Sequence, residues 1–392
     1  MGLTHQWLVA LCMFKMNYQA FINRQINEMK VIYSEKHCLH NPPKEFELGR
    51  FVPYKECTGR VDSILSSLRA RNLGEIVAPN DYGLGPIAAV HSKEFIAYLQ
   101  NAYEEWVKVG GNPEGVFPDV SAVRDFANLR KWKQNPPQRN FPYSRDGGPL
   151  GRPGYYCFDM TGVIAEGTFQ AAYEAAQVAL TGAELLIEEK AHGIFALCRP
   201  PGHHAQRDLC GGYCFFNNAA IAVRHLIHVL KVGRVAIIDI DYHHGNGTQE
   251  IFYENSNPLY VSLHGALDYP FYWGAEDEVG ENEGAGFNVN VPLKMGTQDK
   301  EYIEALQTII DTRVKEYNPQ IVVVSLGVDT YANDPIGGFF LTTPAYIQIG
   351  RALSSLRCPT LFVMEGGYAV EEIGDNVTNV LQGFENYIAA CR

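Results

Sequence analysis

Short apolar runs rich in β-branched residues recur along the chain, separated by segments with apolar residues at helical spacing. About eight runs have the length of a buried strand: residues 31–33, 75–78, 193–197, 234–239, 259–263, 287–291, 320–326 and 360–364. Several are apolar on both faces, as in Ile-Val-Val-Val-Ser-Leu at 321–326, which is typical of a parallel sheet covered by helices on both sides. The pattern therefore predicts an α/β protein with a mostly parallel sheet.

Two long segments between these runs are predicted to be amphipathic helices, at residues 167–189 and 299–317. At 392 residues the chain has the length of two or three average domains. The alternation of strands and helices favours instead one doubly wound α/β domain at residues 29–392.

Residues 110–154 interrupt this alternation with many Pro and Gly residues and no sustained period. A loop of this length inside a compact domain is usually functional. We expect a lid, a binding loop or an oligomer contact, and a tolerated surface insertion is the alternative.

Residues 1–28 are predicted to be a leader outside that domain. Their apolar run at 7–14 is too short to cross a bilayer and lacks the basic start and clear cleavage site of a signal peptide. Met29 is an alternative start, because the first predicted strand follows it. The nine cysteines are scattered without a C-x2-C pair, which indicates reduced thiols in a cytoplasmic protein, with secretion as the alternative.

The charge balance narrows the classes of partner. The chain has 32 Lys and Arg against 44 Asp and Glu, a formal net charge of −12, and no basic cluster. Nucleic acids and anionic membranes bind through basic patches, so neither is an expected partner. A cationic ligand fits this balance better.

Polar residues of catalytic type follow five of the predicted strands. These are His203 and His204, then Asp239, Asp241 and His243, then His264, then Asp329, and finally Tyr368. In open α/β sheets ligands bind at the carboxyl ends of the strands, so we expect the five clusters to meet in one crevice.

Three of these residues have the chemistry of a catalytic metal site. Asp241 and His243 lie two apart on an extended segment and share a face, and Asp329 can complete the set. Two carboxylates and one imidazole suit Zn²⁺, Fe²⁺ or Co²⁺ and leave a position open for water, whose pKa the metal lowers. A single Asp or His at a strand end is more often a turn cap or a satisfied polar residue. Buried together, however, they would be costly without a cation.

The remaining polar residues can move protons and stabilise charge. His203 and His204 can take and return protons near pH 7. The hydroxyl of Tyr368 can polarise a carbonyl and stabilise the resulting oxyanion. The combination predicts a metal-assisted amide or ester hydrolase.

Five ordered motifs give the chain a resemblance to a known family. They are Arg-Pro-Pro-Gly-His-His at 199–204, Gly-Gly-Tyr-Cys-Phe-Phe-Asn-Asn at 211–218, Asp-Ile-Asp-Tyr-His-His-Gly-Asn-Gly-Thr at 239–248, Val-Ser-Leu-His at 261–264 and Glu-Gly-Gly-Tyr at 365–368. From about Met29 onward the chain resembles the histone deacetylase superfamily. Residues 325–330, 334–336 and 339–343 and the long insertion resemble its bacterial acetylpolyamine amidohydrolase branch most.

The resemblance implies the arginase-deacetylase fold, a three-layer domain with an eight-stranded parallel sheet, and zinc-dependent deacetylation. It assigns Zn²⁺ to Asp241, His243 and Asp329, and the general base and then acid to His204. His203 would be the electrostatic partner, and Tyr368 would polarise the acetyl carbonyl.

The resemblance also implies a structural potassium ion and a substrate channel. Asp239, which also orients His203, would bind K⁺ with Ser262 and the backbone carbonyls of Asp241, His243 and Leu263. The Gly212 carbonyl would accept the substrate N–H. Tyr213 and an aromatic residue from 269–273, for which we choose Phe271, would line the channel.

Three positions separate this chain from parts of the superfamily. Asn246 replaces the Asp of many histone deacetylases, so His204 has a neutral partner and its pKa should be lower. Gly245 stands where arginases carry a second metal-bridging Asp, which disfavours a two-manganese ureohydrolase. Ile336 occupies the place of a gatekeeping Glu in an animal polyamine deacetylase.

These observations predict a zinc-dependent, homodimeric amidohydrolase acting on acetylputrescine, acetylcadaverine, acetylspermidine or related acetylpolyamines. The resemblance to the acetylpolyamine branch implies that residues 110–154 form the dimer and narrow the mouth of the site, where Glu114, Asp119 and Asp125 can supply negative charge. The alternatives are a protein lysine deacetylase of the histone type and a noncatalytic module that binds acetylated ligands.

Overall fold

The structure is a computed structural model and describes residues 29–122 and 147–390. The predicted leader at 1–28 and residues 123–146 of the predicted insertion, with Asp125, lie outside the described residues.

Ten strands form one large sheet and one hairpin. They are β1 (Lys30–Ile32), β2 (Lys44–Glu47), β3 (Arg50–Pro53), β4 (Glu75–Val77), β5 (Gly193–Ala196), β6 (Val235–Asp239), β7 (Leu259–Gly265), β8 (Asn288–Leu293), β9 (Ile321–Leu326) and β10 (Thr360–Met364). Eight of them pair in the order β4-β1-β5-β10-β9-β6-β7-β8, and every pairing is parallel. Each strand predicted from the sequence is thereby confirmed, with ends that differ by one or two residues.

The central strands are buried on both faces because their apolar residues alternate between two cores. Ile194, Ile237, Val323 and Val363 belong to one core, and Phe195, Ile238, Val324 and Phe362 belong to the other. Every residue of β5, β6, β7, β9 and β10 is buried. Since burial of one such side chain contributes about 1.5–3 kcal/mol, the apolar runs specify a three-layer arrangement.

Helices pack on both faces of the sheet. They are α1 (Gly59–Ala70), α2 (Gly85–Ala88), α3 (Lys93–Lys108), α4 (Gly148–Tyr156), α5 (Thr168–Glu188), α6 (Asn218–His228), α7 (Asn246–Phe252), α8 (Asp299–Ile309), α9 (Ala345–Ser354) and α10 (Ile373–Ala390). The helix predicted at 167–189 is α5. The one predicted at 299–317 is α8 followed by a π turn at Ile310–Val314 and a last helical turn at Lys315–Tyr317.

Two local structures differ from the sequence prediction. The antiparallel hairpin β2–β3 was not predicted, although its Leu48-Gly49 turn has the two positive φ angles of a hairpin turn. The loop predicted at 110–154 ends in α4, which contains residues with low helix propensity. Contacts with α3 stabilise this helix despite its sequence: the Tyr156 ring stacks on that of Tyr98, with centroids 4.6 Å apart, and Arg152 donates to Glu105 at 2.8 Å.

The helices and the cysteines of the described part of the chain bear on the class of protein. The helices of that part include none that is long and apolar enough to cross a membrane. Its seven cysteines are free thiols.

Candidate active site

Four of the five polar clusters predicted at the strand ends meet in one buried site beyond β5, β6, β9 and β10, whereas His264 of β7 packs against His244 with ring centroids 4.6 Å apart. Those that the sequence assigned to metal binding and proton transfer are almost wholly inaccessible to solvent: His203, His204, Asp239, Asp241, His243, Asp329 and Tyr368. The strand ends account for this arrangement because all eight strands of the sheet run in the same direction.

Asp241, His243 and Asp329 form a group that can hold a metal ion. One ligand atom from each residue lies within 4.8 Å of the other two. Nδ1 of His243 is 2.8 Å from Oδ2 of Asp329 and 3.4 Å from Oδ1 of Asp241. Two buried carboxylates beside an imidazole nitrogen are the donor set of a catalytic Zn²⁺ site, so these residues fit the predicted ion.

Backbone N–H groups fix both carboxylates. Asp241 accepts from the N–H of His243 at 2.9 Å and of Gly366 at 2.7 Å, and Asp329 accepts from Tyr242 at 2.8 Å. A Cβ at Gly366 would lie 2.5 Å from Oδ2 of Asp241 and 2.6 Å from Oδ2 of Asp329. The loop after β10 therefore needs glycine here to approach the ligands closely, and its N–H orients one of them.

The surrounding charges shift the ionisation of this group. Burial opposes ionisation of Asp241, but the positive charge of His203 and the hydrogen bond and charge of His243 together outweigh it and lower the Asp241 pKa. Burial, with the nearby Asp241 charge, raises the pKa of Asp329 to about 7. Burial alone would lower the pKa of His243, but its hydrogen bonds with the two carboxylates raise it to about 10. A cation would compete with protons for these side chains, so metal affinity here should depend on pH.

The adjacent histidines have opposite environments. Nδ1 of His203 lies 3.1 Å from Oδ2 of Asp239. Burial would lower the pKa of His203, but the Asp241 and Asp239 carboxylates outweigh it and raise that pKa to about 10. For His204, burial and the positive charges of His203 and His243 lower the pKa well below its usual value. His203 is thus suited to hold its proton, and His204 to be a neutral base.

Asn246 also selects the tautomer of His204. Oδ1 of Asn246 lies 2.8 Å from Nδ1 of His204 and can only accept a hydrogen bond. Nδ1 therefore carries the proton in the neutral ring, and the lone pair is on Nε2. This is the neutral partner predicted from Asn246.

Tyr368 lies on the loop after β10, with its ring 5.4 Å from that of Tyr213. The guanidinium of Arg60 is 4.9 Å from the Tyr368 ring centroid, and Arg60 also donates to the carbonyl of Gly367 at 2.6 Å. Burial raises the pKa of Tyr368 well above its usual value, although Arg60 opposes this. The hydroxyl therefore stays protonated and can act as a hydrogen-bond donor.

The residues predicted to bind K⁺ come from adjacent strands. Asp239 of β6 is in register with Ser262 of β7, and Leu263 follows Ser262. Asp239 also accepts hydrogen bonds from Tyr260 at 3.1 Å and from the N–H of Asp241 at 3.3 Å. A buried carboxylate, a hydroxyl and nearby backbone carbonyls are oxygen donors compatible with K⁺.

The channel residues are only partly where the sequence put them. Gly212 lies against His204, because a Cβ there would be 2.4 Å from the His204 ring, and Tyr213 is buried beside Tyr368. In the loop after β7, Tyr269 packs edge-on against His204, with ring centroids 5.0 Å apart. Phe271 is 64% exposed and lies outside Tyr269 at 6.0 Å, so its substrate contact stays a prediction.

The negative charge predicted at the mouth of the site is partly offset by a lysine. Glu114 is exposed and forms an ion pair with Lys44, which lowers the Glu114 pKa and offsets its charge. Asp119 is also exposed, beyond the end of α3. Ile336 packs against the cluster that contains Tyr213 and Tyr368.

Several residues of the site were missed by the sequence analysis. Glu45 of β2 accepts a hydrogen bond from the Tyr213 hydroxyl at 3.0 Å, and Asp334 accepts one from the N–H of Tyr368 at 2.6 Å. Arg60 is a buried residue of α1, a helix that was not predicted from the sequence, and Asp159 lies in a loop without a motif. The only sequence signal near these residues is the Asp334-Pro335 turn.

Comparison with known proteins agrees with this fold. The histone deacetylase domain family matches residues 54–384. The chain therefore belongs to the histone deacetylase family, and the resemblance inferred from the motifs and the prediction of a deacetylase are confirmed.

Within the family the chain is similar to proteins that are named for acetylpolyamines rather than for histones. It is 45% identical over 359 residues to acetylpolyamine amidohydrolase 2 of Pseudomonas aeruginosa. That alignment covers 91% of this chain and 99% of the relative. It is 39% identical over 357 residues to acetylpolyamine amidohydrolase of Mycoplana ramosa, with the same coverage. A crystal structure of acetylpolyamine aminohydrolase from Burkholderia pseudomallei matches with a TM-score of 0.81 and 32% identity, over 92% of this chain and 99% of that one.

Proposed function

We propose that the protein is a zinc-dependent amidohydrolase that removes acetyl groups from acetylated polyamines such as acetylputrescine, acetylcadaverine and acetylspermidine. The observation that carries the proposal is the buried group of Asp241, His243 and Asp329. The His204 ring lies 6.1 Å from that of His243, and Tyr368 follows Gly366, whose N–H donates to Asp241. The substrate class is supported by the relatives named acetylpolyamine amidohydrolases.

Each side chain has a defined part in this proposal. Zn²⁺, held by the three-residue group, would supply a Lewis acid and a water of lowered pKa, and Fe²⁺ or Co²⁺ would supply the same chemistry. His204 accepts a proton at Nε2 and later donates it to the leaving amine. His203 keeps its positive charge nearby, because Asp239 holds its Nδ1 proton.

The remaining roles concern orientation of the acetyl group. The Tyr368 hydroxyl donates to the acetyl oxygen and stabilises the charge that develops there. The Gly212 carbonyl accepts the amide N–H, and Tyr213 forms one wall of the channel. K⁺ at Asp239, Ser262 and the carbonyl of Leu263 would hold the ends of β6 and β7 beneath the zinc ligands.

Access to the site is proposed to depend on a homodimer formed by the insertion at 110–154. Val120 and Leu150, which flank the central part of the insertion, are 71% and 61% exposed. A homodimer contact at the insertion would cover these two side chains. Light scattering should give twice the chain mass, and deletion of residues 123–146 should reduce it to the monomer value.

The proposal is tested by acetate release from N-acetylputrescine and from an acetyl-lysine peptide, with protein of measured zinc content. We expect kcat/KM to be at least about tenfold higher for N-acetylputrescine. The reverse preference would make the protein a lysine deacetylase. Binding of both ligands without acetate release, unchanged in Tyr368→Phe, would indicate a noncatalytic binding module.

A further inference from the structure

A hydrogen-bond network around Asp159 joins three separate segments at the entrance to the active site. Asp159 Oδ2 accepts hydrogen bonds from the N–H of Gly212 at 3.0 Å and from the hydroxyl of Tyr269 at 2.7 Å. These partners are 53 and 110 residues away along the chain. One carboxylate oxygen thus connects the turn at 211–214 to the loop that carries Tyr269.

The two oxygens of Asp159 have different partners. Oδ1 accepts from the N–H groups of Thr161 and Gly162 at 3.2 and 3.3 Å, the local pattern of an Asp that stabilises its own turn. Oδ2 accepts from the Thr161 hydroxyl and also makes both long-range bonds. Stabilisation of the local turn would not require the long-range contacts, so Asp159 does more than shape its own loop.

The segment that Asp159 holds has an unusual backbone. Residues 211 and 214 exchange two backbone hydrogen bonds, and both residues between them have positive φ, +54° at Gly212 and +64° at Tyr213. This conformation is unfavourable for a tyrosine and persists only where the surroundings hold it. The charge-assisted bond from Gly212 N–H to Asp159 is one such restraint, next to the carbonyl proposed to receive the substrate.

The second partner, Tyr269, lies against both Gly212 and His204 and would form one wall of the channel. The Tyr269 ring is edge-on to His204 at 89°, and a Cβ at Gly212 would be 2.8 Å from the Tyr269 hydroxyl oxygen. The hydroxyl can bond Asp159 only while the ring remains next to Gly212. The same bond therefore limits outward movement of this wall.

We propose that Asp159 is a positioning residue that fixes both the Gly212 carbonyl and the Tyr269 wall, and so favours slender acetylated amines over bulky ones. The inference rests on the proposed function, since a substrate that reaches His204 must pass Gly212 and Tyr269, which both contact the His204 ring. Asp159 acts through Gly212 and Tyr269 and takes no part in proton transfer.

The test compares Asp159→Ala and Tyr269→Phe with wild type, using N-acetylputrescine and an acetyl-lysine peptide with a bulky aryl amide. Tyr269→Phe removes the hydroxyl and keeps the ring. Tyr173→Phe is the matched control, because the Tyr173 hydroxyl donates to Asp81 on the surface at α5. Zinc content and Tm are measured for every variant.

Asp159→Ala should lower kcat for N-acetylputrescine by about 10- to 100-fold with a smaller change in KM, because a misplaced substrate reacts slowly after it has bound. Tyr269→Phe should raise kcat/KM for the bulky peptide relative to N-acetylputrescine by about fivefold or more, an estimate for a single lost hydrogen bond. Tyr173→Phe should match wild type in both assays.

The outcomes separate this inference from the proposed function. If zinc-loaded wild type releases acetate from neither substrate, the proposed function fails. Suppose that wild type is active, and that the Tyr269→Phe variant is folded and zinc-loaded but keeps the selectivity of wild type. Asp159 then does not control the position of the Tyr269 wall. If Asp159→Ala loses zinc or Tm in proportion to activity, or is too unstable to assay while Tyr269→Phe is unchanged, Asp159 is a structural residue only.

Discussion

The floor of the active site and its mouth are built in different ways. The floor consists of the three metal-ligand candidates and the two histidines, which follow sheet strands, and backbone N–H groups orient its carboxylates. The mouth consists of the turn at 211–214, the Asp159 loop and the loop that carries Tyr269, joined by side-chain hydrogen bonds. The sheet thus determines the floor, whereas a few individual side chains determine the mouth.

This difference has a functional consequence. Strand ends within one parallel sheet cannot move independently, so chemistry placed on them is fixed to the core. Loops held by single hydrogen bonds can change without loss of the core. Substitutions in the floor should therefore decide whether the reaction occurs, and substitutions in the mouth should decide its substrate.

The largest effect is expected from removal of a metal ligand. Asp329→Ala should lose zinc and reduce kcat to below about one thousandth of wild type, because the chemistry supplied by the ion is lost with it. Metal analysis by mass spectrometry and acetate release measure the two losses together. Asp311→Ala, which removes an exposed carboxylate paired with Lys315, should change neither. Full zinc content in Asp329→Ala would remove Asp329 from the ligand set.

The next largest effect should separate proton transfer from metal binding. His204→Ala should retain zinc and lose about 10²- to 10⁴-fold in kcat, the range for loss of a general acid-base. His225→Ala removes a buried histidine on α6 that bonds Glu184, and it should keep wild-type kcat. Turnover within tenfold of wild type in zinc-loaded His204→Ala would assign the proton transfers to another group.

A smaller effect should appear in the pH profile. His204 must be neutral to accept a proton, and its lowered pKa places the acid limb of kcat/KM below pH 6.5. Asn246→Asp puts a carboxylate against Nδ1 and raises the His204 pKa, so the acid limb should move up by about one unit or more. Activity should fall most near pH 6 and least near pH 8.

The matched control for that profile is Asn290→Asp, beside the buried His244 outside the proton-transfer pair. Asn290→Asp likewise buries a new carboxylate next to a histidine, but it should leave the acid limb of kcat/KM unchanged. An equal shift in both variants would mean that the profile reports general destabilisation rather than the ionisation of His204.

The same contrast explains what could be predicted from the sequence. Apolar runs such as 321–326 specify strands, and polar residues directly after them must lie at one sheet edge, so Asp241, His243 and Asp329 could be grouped without coordinates. Asp159 has no such marker, because its partners Gly212 and Tyr269 are distant in sequence. The contact of Tyr269 with His204 has no sequence marker for the same reason, because spacing does not show which side of a loop faces inward.

The smallest effect is expected at Glu114, where the sequence placed negative charge at the mouth. Glu114 is exposed and already paired with Lys44 of β2, so solvent and the ammonium group both weaken its attraction for a cationic substrate. Glu114→Gln should therefore change KM for N-acetylputrescine by less than about twofold, even at low salt. Assays at two ionic strengths with a neutral acetylamine of the same length provide the control. A fivefold rise in KM for the cationic substrate alone would show that this exposed carboxylate selects substrate, and that the mouth discriminates by charge as well as by width.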